Sequence, residues 1–209
     1  MDLSIYGKVA LLLTMSMSLG GFGCWVAQKL KSILAFIVLA VLFLAGAFFV
    51  PYFASVSTTA GIAALAAWTF ISGLFMGPAI HSYSEEIGWK TVALAFFGTA
   101  GVMALCGLVA TFSGINFSGL GSFLGIALFG LIIVGIIRLF SKWGKEADIL
   151  YSSLGVLIFA GYFLYDFFTL KHTENTWQRA TELTMKFYLD FLNFLLHLLQ
   201  LIAASKHHS

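Results

Sequence analysis

Seven apolar segments, each long enough to cross a bilayer as a helix, dominate this 209-residue sequence. We place them at about 6–27, 31–50, 59–80, 91–112, 119–140, 149–170 and 183–204, with polar residues between them. They are continuous apolar runs, whereas a transmembrane β-barrel needs shorter segments of alternating polarity. The sequence therefore predicts an all-α polytopic membrane protein, with residues 1–209 forming one seven-helix transmembrane domain.

The composition supports this class. Hydrophobic residues make up 60% of the chain and charged residues 10%, which excludes both a water-soluble globule and a disordered chain. The net charge of +2 is small and the basic residues are dispersed, so no nucleic-acid partner is expected. Cys24 and Cys106 both lie in apolar runs and are expected to be buried thiols, not a disulfide.

Glycine pairs predict where helices pack closely. Gly73 and Gly77 form a GxxxG pair in the third segment, and Gly121 and Gly125 form another in the fifth. Such pairs let two helix backbones approach each other in a membrane. Pro78 follows the first pair and is expected to kink or end its helix.

Two carboxylates lie where acids are costly. Asp166, in GYFLYDFFTL, and Asp190, in FYLDFLNFLL, are surrounded by apolar residues, whereas the other acids lie in loops or near chain ends. A charged side chain in a membrane helix costs about 2.5–3.5 kcal/mol on insertion scales and usually marks function. Asp166 precedes Lys171 by five residues and Asp190 follows Lys186 by four, so both are expected roughly 6–8 Å inside the same membrane face. A short connection makes the last two helices antiparallel neighbours, on which the two carboxylates could meet.

Two carboxylates in contact cannot both ionise cheaply. They can share a proton at lower pH, and at higher pH they repel each other or bind a cation such as calcium. Asn193 and His197 follow Asp190 by three and seven residues on the same helix face, so they could extend a polar path. The alternative is that each polar side chain is simply hydrogen-bonded inside the bundle.

The orientation follows from the basic residues. By the positive-inside rule the C-terminus is predicted in the cytoplasm and the N-terminus outside. The cytoplasmic side then carries Lys29, Lys31, Lys90, Arg138, Lys142, Lys145 and Lys206, and the other side carries Lys8, Lys171, Arg179 and Lys186.

Four motifs in order resemble one known family. They are Gly73-Leu-Phe-Met-Gly-Pro-Ala79, Phe97-Gly-Thr-Ala100, Gly161-Tyr-Phe-Leu-Tyr165-Asp166 and Tyr188-Leu-Asp190-Phe191. Together they resemble the Bax inhibitor-1 family, also called the transmembrane Bax inhibitor motif family, in its bacterial form.

The resemblance implies a bundle in which the other helices surround the last. It also implies a pH-sensitive calcium leak, with Asp166 and Asp190 as sensor, gate and tentative calcium site. The implied partners are the lipid bilayer, calcium and protons, with no other cofactor, and the implied location is a bacterial inner membrane.

One feature departs from the family pattern. In a bacterial relative, a basic cluster between helices two and three supplies an arginine to the aspartate pair. Bacterial relatives usually have a cytoplasmic N-terminus, in disagreement with the orientation predicted from the charge count. Here the region reads Ser55-Val-Ser-Thr-Thr59, without a positive charge. Arg138 and Lys186 are the alternative cations, and Tyr165 is a further supporting residue beside Asp166.

Other classes fit less well. An intramembrane aspartyl protease would use two such aspartates and a Tyr-Asp motif, which Tyr165-Asp166 satisfies, but the chain has Tyr-Leu-Asp where GxGD is needed. A proton-coupled transporter would show inverted repeats, which this sequence does not have. A retinal protein needs a central lysine in the last helix, and a zinc hydrolase needs clustered histidines; this sequence has neither. We therefore do not expect an enzyme. The main alternative to the calcium leak is a non-transporting protein that modulates a membrane protease or a cell-death or stress regulator.

Overall fold

The computed structural model describes residues 3–28, 32–141 and 143–206. These residues form seven helices and no strands, which confirms the predicted all-α class. Each helix is long and apolar enough to cross a membrane. The helices are α1 Ile5–Ala27, α2 Ile33–Val56, α3 Thr58–Ile87, α4 Trp89–Phe112, α5 Leu120–Phe140, α6 Lys145–Lys171 and α7 Trp177–Lys206. Lys29, Lys31 and Lys142, on which the predicted orientation partly rests, lie outside the described residues.

α2 and α3 run past the ends of their predicted apolar segments. α2 continues through Pro51 to Val56, and α3 continues through Pro78 to Ile87, so the expectation that Pro78 could end its helix was wrong. A proline removes one N–H donor, but helices in membranes tolerate the loss because neighbouring groups satisfy the freed carbonyl. α3 stops at Gly88, whose positive φ of 88° turns the chain.

The last helix begins earlier than its apolar segment. α7 starts at Trp177 because the Thr176 hydroxyl caps it, accepting a hydrogen bond from the Arg179 amide at 3.2 Å. Arg179 also pairs with Glu182 at 2.8 Å on the exposed side of the first turns. Hydropathy misses these turns because their residues are charged, although they are helical.

The chain divides into two compact units. The first contains the residues up to Ser82 together with Thr173–Tyr188. The second contains Tyr83–His172 and the residues from Leu189 onward. Thus α7 contributes its first turns to one unit and its remaining turns to the other.

Glycines let the helices of the first unit approach closely. A Cβ atom on Gly73 would meet the backbone oxygen of Gly20, and one on Gly77 would lie 3.0 Å from the backbone oxygen of Cys24. The predicted packing role of this glycine pair is therefore confirmed. α2 is joined to α3 by a hydrogen bond, which the indole nitrogen of Trp68 donates to a backbone oxygen of α2 at 2.9 Å.

A buried lysine stabilises the start of α7 in this unit. The ammonium group of Lys8 donates to the backbone oxygen of Asn175 at 3.2 Å and lies 5.3 Å from the Trp177 ring centre. Both contacts hold the first turn of α1 against the connection that precedes α7.

In the second unit, α4 and α5 pack on α6. A Cβ on Gly107 would lie 2.9 Å from the Phe167 ring, and one on Gly121 would lie 2.6 Å from the Tyr165 ring. Gly125, the other member of the second glycine pair, has nothing within 4 Å, so only half of that pair serves helix packing. The thiol of Cys106 donates to a backbone oxygen of α6 at 3.7 Å. Both cysteines are free thiols, as expected, but they are half-buried and not fully buried.

Burial differs strongly between helices. Half of the most apolar stretch of α7 is buried, against 11% for α2 and α5. The large apolar side chains that remain exposed on α2 and α5, such as Phe48 and Phe140, suit contact with lipid tails. Among the seven helices, α7 thus has the largest buried share of its apolar stretch.

Candidate ion site in the membrane

The two membrane aspartates are both buried. Asp166 is 2% exposed and Asp190 is 9% exposed. Asp166 belongs to the inner face of α6, which recurs every three or four residues and consists of Ser152, Gly155, Phe159, Phe163, Asp166 and Leu170. Asp166 is therefore directed into the unit by the same helical periodicity that buries the apolar side chains.

Ring contacts give the register between α6 and α7 in the second unit. The ring centres of Phe163 and Phe194 are 5.5 Å apart, and those of Phe159 and His197 are 5.8 Å apart. Residue numbers rise along one helix as they fall along the other, so the helices are antiparallel, as predicted. One turn beyond the Phe163–Phe194 contact, α6 presents Asp166 and α7 presents Asp190. The register therefore brings the two carboxylates to the same level.

The predicted depth of Asp190 took Lys186 as the start of the last helix. α7 begins at Trp177 instead, 13 residues before Asp190. Asp190 is therefore about 20 Å from the start of α7, whereas Asp166 is about 8 Å from the end of α6. The matched level depends on the register between the helices and not on the lysine spacing.

Tyr162 lies near this site, and sequence reasoning missed it. Its hydroxyl group is within electrostatic range of Asp166, Asp190 and Tyr165. The signal was present in the sequence, because Tyr162 precedes Asp166 by four residues and shares its helix face.

Tyr165, which the motif suggested instead, has a packing role. Its ring fills the space opposite Gly121 of α5. As the residue directly before Asp166, it is rotated about 100° away on the helix. The structure thus packs the Tyr165 ring against α5.

Asn193 and His197 lie further along the same face of α7. The Asn193 side chain donates to the backbone oxygen of Leu189 at 2.9 Å, so it is satisfied within its own helix. His197 lies between the rings of Tyr151 and Phe159, at 5.2 and 5.8 Å. Its Nδ1 atom is buried and has no hydrogen-bond partner among the described residues.

Of the two alternative cations, Arg138 lies far from the aspartate pair. Arg138 lies 2.9 Å from Asp148, at the start of α6. Asp148 and Asp166 are separated by 18 residues of helix, or about 27 Å, so the suggestion that Arg138 could partner the aspartates was wrong. Lys186 is exposed and precedes Asp190 by one turn of α7; its role stays a prediction.

The donor set can be tested against a calcium ion. Within the described parts of the chain, no three His, Cys, Asp or Glu side chains gather as a metal cluster. Two carboxylates supply at most four of the six to eight oxygens that calcium prefers. A calcium ion at the pair would therefore need further ligands, such as water, to complete its coordination shell.

Seven helices that are long and apolar enough to cross a membrane, with two buried aspartates on the last two, define a polytopic membrane protein. The chain belongs to the family described as "Inhibitor of apoptosis-promoting Bax1", whose sequence profile it matches over residues 4–207. This confirms the resemblance that the four motifs indicated.

Relatives come from several kingdoms. The chain is 30% identical over 135 residues to "Bax inhibitor 1" of Schizosaccharomyces pombe, which covers 65% of this chain and 49% of that protein. It is 30% identical over 215 residues to "Protein LIFEGUARD 4" of Arabidopsis thaliana, covering 86% and 84%. It is 34% identical over 90 residues to "Golgi anti-apoptotic protein" of vaccinia virus (strain Lister), covering 43% and 37%. The match to the fission yeast protein thus spans about half of that relative's length.

Proposed function

We propose that the protein is a pH-sensitive calcium leak channel in which Asp166 and Asp190 form the gate and the cation site. The observation that carries this proposal is their placement at one level of the seam between α6 and α7 in the second unit, both buried. Buried acids at matched positions on facing membrane helices are costly and typically mark an ion pathway. The membrane we propose is the bacterial inner membrane.

The pair would respond to both protons and calcium. Two ionised carboxylates at one level repel each other and offer hard oxygen ligands to a divalent cation. Protonation removes both properties, so protons and calcium compete for the site and calcium affinity falls as the pH falls. The Tyr162 hydroxyl lies within electrostatic range of both carboxylates.

An aromatic contact closes the seam next to the pair. Phe163 and Phe194 are both buried, and their rings meet one turn along the seam from the aspartates. A dry aromatic constriction excludes hydrated ions. In the proposed mechanism, a change in the charge of the pair alters the packing of this neighbouring layer and thereby opens or closes the path.

The test is calcium flux into proteoliposomes between about pH 5 and pH 8, a range in which a coupled carboxylate pair can titrate. Wild-type flux should change with pH, and Asp166→Asn and Asp190→Asn should each flatten that change. Glu182→Gln is the matched control, because it neutralises an acid that pairs with Arg179 near the start of α7. If both Asn variants keep the wild-type pH profile, the aspartates are not the sensor.

A second candidate function follows from the names of two relatives. "Bax inhibitor 1" and "Golgi anti-apoptotic protein" describe proteins that act on cell death. The corresponding role here is a non-transporting membrane protein that modulates a membrane protease or a cell-death or stress regulator. A stoichiometric partner that co-purifies, together with no flux in pure liposomes, would favour this role over the channel.

A further inference from the structure

A second polar group lies at the other end of α6 in the second unit. We call it the Arg138 cluster and define it as Arg138, Asp148, Tyr151 and Gln200. The Arg138 guanidinium lies 2.9 Å from the Asp148 carboxylate and 5.5 Å from the centre of the Tyr151 ring. With the Gln200 amide oriented so that its oxygen faces the guanidinium, that oxygen accepts hydrogen bonds from both terminal nitrogens of Arg138.

The cluster lies on the same seam as the aspartate pair. Along α7, Asp190, Asn193, His197 and Gln200 recur every three or four residues and share one face. Along α6, Asp148 and Asp166 are separated by 18 residues, which is five turns and about 27 Å. That separation approaches the roughly 30 Å of a bilayer's hydrocarbon core, so the carboxylate pair and the Arg138 cluster mark opposite ends of the seam.

His197 links the cluster to the middle of the seam. Its ring contacts Tyr151 on one side and Phe159 on the other, and the charge of Arg138 acts on it. Since Phe163 and Phe194 lie between His197 and the aspartates, the seam has carboxylates on one side of an aromatic layer and a permanent cation on the other.

Other charged residues lie near the cluster. Tyr83 lies in the field of Arg138, Asp148 and Glu86, and the Lys206 ammonium group donates to the Glu86 backbone oxygen at 3.4 Å. Tyr151 of α6 and Gln200 of α7 both contact the Arg138 guanidinium, which places it at this end of the seam. A guanidinium stays protonated at every physiological pH.

We propose that Arg138 is a specificity-determining residue that opposes the passage of divalent cations, and that Asp148 tunes this barrier by partly neutralising it. The inference rests on the proposed channel function. A fixed positive charge on a narrow path repels an approaching cation, as arginines do in other selective pores. The two partners therefore have opposite expected effects on flux, although they form one ion pair.

The opposite signs provide the test. Arg138→Gln should raise the initial rate of calcium entry into proteoliposomes by about fivefold, which corresponds to a barrier lower by about 1 kcal/mol. Asp148→Asn should lower the rate by a similar factor, because it leaves the guanidinium uncompensated. The double variant should lie between them, and Arg138→Lys, which keeps the charge, should stay close to wild type.

Lys145→Gln is the matched control. Lys145 begins α6 three residues before Asp148 and carries the same charge at the same end, so its removal reports any general change in surface potential. Thermal unfolding of each variant in detergent confirms that a flux change does not come from loss of fold.

The outcomes separate the two proposals. If Arg138→Gln and Asp148→Asn shift flux in the same direction, or not at all, while wild-type flux still depends on Asp166 and Asp190, the ion pair is only structural and this inference fails alone. If neither the wild type nor any variant conducts, both this inference and the channel function fail.

Discussion

The contact between Gly20 and Tyr188 in the first unit allows a quantitative test of the packing. The Tyr188 hydroxyl lies 2.6 Å from the Ser72 hydroxyl and donates to the Thr69 backbone oxygen at 3.3 Å. Ser72 also donates to the Thr69 oxygen at 2.7 Å, so it keeps a partner when the tyrosine hydroxyl is removed. Hydrogen bonds between membrane helices average about 0.6 kcal/mol with a maximum near 1.7, so Tyr188→Phe should destabilise the fold by about 1–2 kcal/mol.

Gly20→Ala adds an atom in the same place. Its Cβ would overlap the Tyr188 hydroxyl and lie 3.1 and 3.3 Å from two ring carbons. Overpacking of this kind costs about 1–3 kcal/mol. In the double variant the overlapping oxygen is gone and only the two ring carbons must shift by a few tenths of an ångström. The double variant should therefore be more stable than the sum of the single effects predicts, by about 1 kcal/mol or more.

The assay is reversible unfolding of purified protein in detergent micelles, with the four members of the mutant cycle measured side by side. Gly21→Ala is the control, because a Cβ at Gly21 has nothing within 4 Å. It should be neutral or slightly stabilising. If the effects of Gly20→Ala and Tyr188→Phe add within about 0.5 kcal/mol, the two residues do not contact each other as described.

Two further variants probe the seam of the second unit. Phe163→Ala should raise calcium flux at every pH in the tested range, because it removes the aromatic layer. Phe129→Ala, at a position 66% exposed on α5, should leave flux at the wild-type level. Equal flux from both variants in liposomes would exclude an aromatic constriction. Gly155→Ala places a Cβ against the His197 ring and should lower the free energy of unfolding by about 1–3 kcal/mol. His197→Ala in the same chain should relieve this effect. A loss of stability that persists in the double variant would refute the contact.

The fold was largely predictable because hydropathy alone identifies a helix that crosses a membrane. Its limits appear at Pro51, where a helix continues through a residue that usually ends helices in water, and at Trp177, where charged turns precede the apolar part of α7. In both places the backbone is helical although the local composition resembles a connection.

The site was predictable only in part. Two aspartates in apolar runs stand out at once, because burying a charge is costly. Their neighbours do not, because contacts across helices depend on the rotation and register of both partners. Thus Tyr162, on the face of Asp166, was overlooked in favour of the adjacent Tyr165, and Arg138 was considered for a site about 27 Å away along α6.

The five-turn separation of Asp148 and Asp166 restricts how the sequence of α6 can change over evolution. Inserting or deleting one residue between them would rotate one acid by about 100° relative to the other, out of the face that contains Ser152, Gly155 and Phe163. The connection 113–119 between α4 and α5 is under no such restriction, since most of it is exposed. Length differences among homologues should therefore accumulate in that connection, while the number of residues between the two acids stays constant.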